Sequence, residues 1–270
     1  MTIGMLILLY LLFGILSFIA FASERKILTR SSLVLGVIIA VLHGWVILSR
    51  GLHAGRLPFT NTYETLILFA FFMTVLYLVT YRRYQLVIIG GFSGLVAAFL
   101  LALTSLLSPE IEPLLPSLKS NFLLFHVIVI FIGYAALSVA FGSAAVFLIL
   151  STVANKWLTQ RRGEEKTKAL LVYLDWLTYR LIAAGFPLLT FGIALGSIWA
   201  NAAWGRYWNW DPKETWAFIT WAVYGAYLHL RISEPFRGKA AAGFAFLGFL
   251  VLMFTYFGVN FWFSSLHAYA

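Results

Sequence analysis

The residues most able to do chemistry lie in one tryptophan-rich segment. Six of the ten tryptophans fall between Trp199 and Trp221. A membrane-interface belt explains a few scattered tryptophans, whereas a dense run through one loop favours a packed platform for a large flat ligand. Within the same segment, Asp211-Pro212-Lys213-Glu214 predicts the start of a helix, with Asp at the N-cap, Pro at the first position and a carboxylate at the third.

The composition shows which kind of fold must position this segment. The chain is 62% hydrophobic and only 11% charged, with a mean hydropathy of +0.91, whereas a soluble domain has about 45–50% apolar and about 25% charged residues. A soluble globular enzyme, a disordered chain and a coiled coil are therefore excluded. We predict an all-α polytopic integral membrane protein. The absence of cysteine excludes disulfides, thiolate nucleophiles and covalent haem attachment to this chain.

Long apolar runs predict about eight transmembrane helices in a single membrane domain over residues 1–270. Their approximate ranges are 3–22, 31–50, 63–81, 86–107, 122–153, 181–200, 213–231 and 241–263. Leucines at near-helical spacing between Leu170 and Arg180 predict an interfacial helix that lies within a link at 154–180 and leads into the sixth span.

The basic residues predict the orientation of the helices. Most of them follow the first, third, fifth and seventh spans, and few follow the others. The formal charge of +9 therefore favours positive-inside topology over nucleic-acid binding. This topology puts the 154–180 link in the cytoplasm. It puts both termini and the tryptophan-rich loop at 200–214 on the extracytoplasmic side.

Two of the five histidines are predicted at the level of the tryptophan-rich loop. His126 lies about one turn inside the outer end of the fifth span, and His267 follows the outer end of the eighth. Two imidazoles from different helices are a suitable axial pair for haem iron. The pattern indicates an outward-facing haem or another flat aromatic ligand. The chain has no Cys and no close His pair for zinc, and no nucleophile elbow for a hydrolase.

Several stretches resemble the CcsA (ResC) family of cytochrome c assembly proteins, the membrane half of the system II haem lyase. The family's tryptophan-rich "WWD" loop is similar to the run from Trp204 to Trp216. The resemblance extends from about residue 50 to the C-terminus. The other family-like stretches are Lys119-Ser-Asn-Phe-Leu-Leu-Phe-His126, Gly133-Tyr-Ala-Ala-Leu, Gly185-Phe-Pro-Leu-Leu-Thr-Phe-Gly192, Tyr227-Leu-His229-Leu-Arg231, Val259-Asn260 and Leu266-His267-Ala-Tyr269.

The resemblance implies the site residues. His126 and His267 would ligate iron at an outer site and His229 at an inner one. The second inner ligand would be His43 or a residue of the partner subunit CcsB (ResB). Haem b would contact Trp204, Gly205, Arg206, Trp208, Trp210, Asp211 and Trp216. Arg56 stands where family members often have His, so we assign His53 no role.

The implied function is haem delivery and covalent haem attachment to apocytochrome c on the extracytoplasmic face, as part of a haem lyase. Haem would enter near His229 and move outward, and the thiols of a Cys-x-x-Cys-His segment would then add to its vinyl groups. Arg206 or Lys213 would pair with the propionates, unless either side chain only lies at the interface. The expected location is the bacterial cytoplasmic membrane or a thylakoid-type membrane.

Three other functions stay open at this stage. The first is a haem-binding membrane regulator of haem synthesis. The second is a haem exporter without lyase activity. The third is a quinol-oxidising di-haem cytochrome, which the positions of His43 and His229 fit poorly.

Overall fold

The computed structural model describes residues 2–233 and 235–263, apart from the side chain of Phe261, and every regular element in this part is helical. The helices are α1 (Ile3–Ser23), α2 (Lys26–Ala54), α3 (Thr62–Tyr84), α4 (Val87–Leu103), α5 (Asn121–Ser151), α6 (Asn155–Arg162), α7 (Glu164–Trp204), α8 (Pro212–Ser233), α9 (Lys239–Met253) and α10 (Val259–Trp262). A π-helical segment, Phe254–Gly258, joins α9 directly to α10. Short 3₁₀ turns occupy Thr104–Leu106 and Pro116–Leu118.

The helices confirm the predicted all-α membrane architecture. Within the described residues, 7 helices are long and apolar enough to cross a bilayer. The helix α8 corresponds to the remaining predicted span. Its 22 residues are sufficient to cross, but Lys213, Glu214 and Arg231 make it less apolar than the others.

The sixth predicted span is part of a much longer helix. The helix α7 has 41 residues and continues through Pro187. The segment between Leu170 and Arg180 is helical and continues into the sixth span, and neither Gly nor Pro interrupts the chain between Glu164 and Arg180. It is the N-terminal part of α7, and its place at the membrane surface stays a prediction.

The helices pack as two compact units, the first ending at Ala135 and the second beginning at Ala136, inside α5. In the first unit α1 and α4 meet at glycines. A Cβ added to Gly94 would lie 2.9 Å from the Cα of Gly14, and one added to Gly14 would lie 3.1 Å from the Gly91 carbonyl oxygen. Small residues thus let two backbones approach closely, as is common between membrane helices.

A buried ion pair ties α7 to the end of α8 in the second unit. Arg231 donates from Nη1 to Oδ1 of Asp175 at 3.1 Å and from Nη2 to Oδ2. Oδ1 also accepts the backbone N–H of Gly238 at 2.9 Å, and Arg231 donates to the Phe236 carbonyl at 2.8 Å. These bonds join α7, α8 and the link to α9.

Candidate functional site

The tryptophan-rich loop begins where α7 ends. Gly205 has φ +75°, the left-handed conformation that glycine adopts without steric cost. Its N–H donates to the carbonyl of Asn201 at 2.8 Å. The chain therefore turns sharply at Gly205, and residues 206–211 connect α7 to α8.

The loop ends in the predicted helix start, which the structure confirms. Oδ1 of Asp211 accepts the backbone N–H of Lys213 at 2.9 Å. Oε2 of Glu214 accepts the N–H of Asp211 at 3.2 Å, which completes a capping box. The same oxygen accepts the N–H of Asn209 at 2.7 Å. The first turn of α8 thus fixes the backbone of the loop before it.

One tryptophan of the loop is exposed, and a second, half-buried one packs against it. The rings of Trp208 and Trp210 stand perpendicular, at 87°, with centroids 5.7 Å apart. Trp210 is 68% exposed. It also has φ +55°, which costs a bulky residue about 1–2 kcal/mol. The fold therefore keeps a large indole exposed at an unfavourable backbone conformation, and such strain is typical of functional sites.

An aromatic series continues from this loop along α7 and α8. The ring of Phe218 contacts Trp210 edge-on at 6.5 Å and stacks on Trp221 at 5.9 Å. Trp221 in turn stacks on Phe186 at 5.5 Å, and its indole N–H donates to Oγ1 of Thr190 at 2.9 Å. Sequence reasoning missed Phe186 and Thr190, although both lie in the family-like tract of α7.

The other tryptophans at the two ends of the loop pack against aromatic rings of the helices. Trp199 is 2% exposed and meets the Trp204 ring edge-on at 4.9 Å. Trp216 packs on Phe254 at 4.3 Å. Of the tryptophans predicted to contact a ligand, Trp210 is thus the exposed one. Trp204, Trp208 and Trp216 are half-buried.

The two basic candidates differ in what they contact. Arg206 is exposed and donates from Nη1 to Oδ1 of Asn209 at 3.2 Å. Lys213 is partly buried and donates from Nζ to Oδ1 of Asn260 at 2.6 Å. Arg206 is therefore the more accessible of the two cations for an approaching carboxylate.

The predicted outer ligands are only partly described. His126 lies in the second turn of α5 and is half-buried. It belongs to the first unit, whereas the tryptophan-rich loop belongs to the second. His267 lies outside the described residues. The predicted pairing of these two imidazoles therefore stays a prediction.

The remaining histidines have different surroundings. His229 is exposed on α8. His43 is 0% exposed, and its Nδ1 is 2.9 Å from the Tyr10 hydroxyl oxygen. His53 is exposed near the end of α2, and its Nδ1 is 2.6 Å from the Ser49 carbonyl oxygen. His229 is thus accessible to a ligand, whereas His43 is enclosed in the core of the first unit.

Arg56, at the departure from the family pattern, belongs to a buried ionic network. The carboxylate of Glu64 accepts from Arg50 Nε at 3.0 Å and from Arg56 Nη1 at 2.8 Å. It also accepts the N–H and hydroxyl of Thr60 at 3.0 Å and 3.1 Å. Arg50 further donates to the carbonyl of Pro109 at 2.8 Å. Sequence reasoning missed this network, which joins α2, α3 and the link before α5.

Comparisons with known proteins place the chain in a family. Residues 59–267 match the family described as Cytochrome C assembly protein. The chain is 34% identical to the cytochrome c biogenesis protein CcsA of Porphyra purpurea, with 98% of this chain and 94% of that protein covered. It is 40% identical to the CcsA of Guillardia theta, with 82% and 79% covered. For the CcsA of Crocosphaera subtropica the identity is 37%, with 82% of each chain covered.

The fold is similar to that of a solved structure, the cytochrome c haem lyase CcmF. The TM-score is 0.67 at 18% identity, with 94% of this chain covered. The chain spans 45% of the length of that protein, and at this identity the likeness concerns the fold alone. The family match and the relatives that align with most of the sequence show that the chain belongs to the CcsA family of cytochrome c assembly proteins.

Proposed function

We propose that this protein acts in cytochrome c maturation by binding haem b at the tryptophan-rich loop and presenting it for covalent attachment to apocytochrome c. The observation that carries the proposal is the exposed Trp210 with the half-buried Trp208 against it, held on a loop that Glu214 fixes at two backbone N–H groups. An exposed indole can stack on a flat macrocycle. The exposed guanidinium of Arg206 can form an ion pair with a haem propionate.

The proposed axial ligands are His126 and His267. Imidazole nitrogens are standard ligands of haem iron. The half-buried position of His126, near the start of a helix, supports this role because it limits the motion of the imidazole while leaving part of it accessible. Two fixed imidazoles would hold the ring in one orientation.

The proposed route of haem begins near His229, on the side that the basic links mark as cytoplasmic. His229 is exposed, and so are Phe218, Ala222 and Ala226 on the same face of α8. From Pro212 to His229 the helix rises about 26 Å, close to the thickness of a bilayer core. One helix face thus runs from the inner histidine to the tryptophan-rich loop. The enclosed His43 is a poorer second inner ligand than a residue supplied by a partner.

The chemistry at the loop is thioether formation. Each thiol of a Cys-x-x-Cys-His segment adds across a vinyl group, so that sulfur bonds to one vinyl carbon and a proton goes to the other, with no net oxidation. This chain has no Cys, so the apocytochrome supplies both sulfurs. The contribution of the protein is then mostly positioning. We further propose a CcsB (ResB) subunit as partner and an extracytoplasmic location for the reaction.

The test uses purified protein from cells that also express a CcsB-type subunit and a Cys-x-x-Cys-His reporter. We expect an absorption spectrum typical of two imidazole ligands, and haem-stained reporter on a denaturing gel. His126→Ala and His267→Ala should lose both, whereas His53→Ala, which changes an exposed histidine without an assigned role, should lose neither. Retention of the spectrum and of reporter maturation in the first two variants would refute the assignment. Haem in the membrane protein with no stained reporter would refute the lyase role.

A further inference from the structure

Lys213 is in an unusual position for a cation. It is the second residue of α8, and a positive charge near a helix N-terminus is disfavoured because the macrodipole is positive there. The side chain is also partly buried. A lysine kept at this place needs local acceptors that offset both costs.

The acceptors belong to residues 43 and 47 positions further along the chain. The ammonium of Lys213 donates to Oδ1 of Asn260 at 2.6 Å and to the backbone carbonyl of Tyr256 at 3.4 Å. It also lies 5.7 Å from the centroid of the Tyr256 ring. Lys213 therefore bridges the end of the tryptophan-rich loop to the last described helical turns.

The bridge meets a local distortion of that helix. Phe254–Gly258 is a π-helical segment, in which the N–H of Val259 donates to the carbonyl of Phe254. Gly258 leaves room for the Phe254 ring within this segment, because a Cβ there would lie 2.7 Å from the ring. Single-turn π segments are frequent at functional sites. Here the segment brings the Tyr256 carbonyl and the Asn260 side chain to the start of α8.

A second contact fixes α8 against the same segment. The hydroxyls of Thr220 and Thr255 are 2.6 Å apart, and Thr255 donates to the Trp216 carbonyl at 3.1 Å. These bonds lie one and two turns along α8. The loop end itself is held to the π segment through Lys213.

We propose that Lys213 is a positioning residue: its ammonium couples the tryptophan-rich loop to the π segment that follows α9. Its hydrogen bonds fix the position of the loop relative to the π segment, and Lys213 acts without touching the ligand. The effect on haem rests on the proposed function, whereas the coupling itself does not.

The test compares Lys213→Met, Asn260→Leu and the double variant in the full-length membrane protein. The readout is hydrogen–deuterium exchange of the peptide containing residues 205–211, measured without haem. Loss of a charge-assisted hydrogen bond should speed exchange there by about tenfold in each single variant. The double variant should exchange no faster than either one. Asn260→Asp, which keeps the oxygen acceptor, and Lys239→Met, which changes an exposed lysine of the same unit, should exchange like the parent.

A second readout is the absorption spectrum and reduction potential of bound haem in the same variants. We expect both to change in Lys213→Met and in Asn260→Leu, and to return in Asn260→Asp. Exchange at the parent rate in Lys213→Met, or effects that add in the double variant, would overturn the coupling. A changed haem spectrum in Lys213→Met with parent exchange would mean that Lys213 contacts the ligand directly, which also overturns it. Faster exchange in variants of a protein that binds no haem would support the coupling and refute the proposed function.

If Lys213→Met does not accumulate, Lys213→Gln serves in its place. The glutamine amide keeps a donor for Asn260 but removes the charge. We expect exchange between that of the parent and that of Asn260→Leu. Exchange at the parent rate would overturn the proposal.

Discussion

The carboxylate of Glu214 accepts the backbone N–H of Asn209 at 2.7 Å, so that a residue in the first turn of α8 holds the loop five positions before it. The same oxygen completes the capping box with Asp211. One side chain therefore serves both the start of the helix and the shape of the tryptophan-rich loop.

Replacing Glu214 by alanine should destabilise the loop. Loss of a capping interaction costs about 1 kcal/mol, and here the Asn209 N–H also loses its acceptor. We expect a lower midpoint of thermal unfolding in detergent and weaker haem retention. Glu214→Gln keeps an oxygen acceptor in the capping box and should lie close to the parent. Equal losses in the two variants would show that charge, rather than the hydrogen bonds, is what matters.

Replacing Trp210 by glycine should affect binding and stability in opposite directions. Glycine adopts the φ of +55° without strain, so the folded state should be as stable as the parent or up to about 1 kcal/mol more stable. Haem retention should fall, because the exposed indole is removed. The matched control is Trp199→Ala, which empties a 2% exposed site and should cost about 3–5 kcal/mol. Unfolding curves and haem content of the purified variants test both statements.

Replacing Gly94 by alanine should weaken the packing of α1 on α4. The new Cβ would lie 2.9 Å from the backbone of Gly14, which cannot rotate away, and overpacking of this kind costs about 1–3 kcal/mol. Gly243→Ala is the control, because nothing lies within 4 Å of its added Cβ. There the higher helix propensity of alanine should stabilise by about 0.5–1 kcal/mol. We expect the midpoint of unfolding to fall in Gly94→Ala and to rise in Gly243→Ala. A Gly94→Ala variant as stable as the parent would contradict the close approach of α1 and α4.

Replacing Asp175 by alanine should be strongly destabilising. It leaves the guanidinium of Arg231 buried without its carboxylate, and breaking such a pair costs about 3–5 kcal/mol. Glu164→Gln breaks a pair with Lys168 whose side chains are 70% and 72% exposed, and it should leave the unfolding curve unchanged. A similar loss in both variants would show that the Asp175–Arg231 pair contributes no more than a surface contact.

Local signals allowed much of this structure to be predicted from the sequence. The apolar runs located the long helices, because span length and hydropathy are properties of contiguous residues. Asp211, Pro212 and Glu214 predicted the start of α8 for the same reason, since a capping box involves residues three apart. The helix between Leu170 and Arg180 was predicted as well, but not that it and the sixth span form one unbroken helix. Leucine spacing shows where a helix is amphipathic but does not show whether the next span continues it.

The interactions that sequence reasoning missed are tertiary. Nothing near Lys213 in the sequence indicates that Oδ1 of Asn260 accepts a hydrogen bond from its ammonium at 2.6 Å. The same holds for the carboxylate of Glu64 between two guanidinium groups and for the bond from Trp221 to Thr190. Each depends on how helices distant in sequence pack. The pairing of His126 with His267 on one iron atom also depends on tertiary packing, and it remains the central prediction about the site.

The continuity of α7 has a mechanical consequence. A helix of 41 residues is about 60 Å long, roughly twice the thickness of the hydrocarbon core. Since Gly205 is predicted at one water boundary, the length of α7 predicts that the end beginning at Glu164 lies beyond the hydrocarbon core on the opposite side. The charged end and the start of the tryptophan-rich loop then belong to one continuous helix.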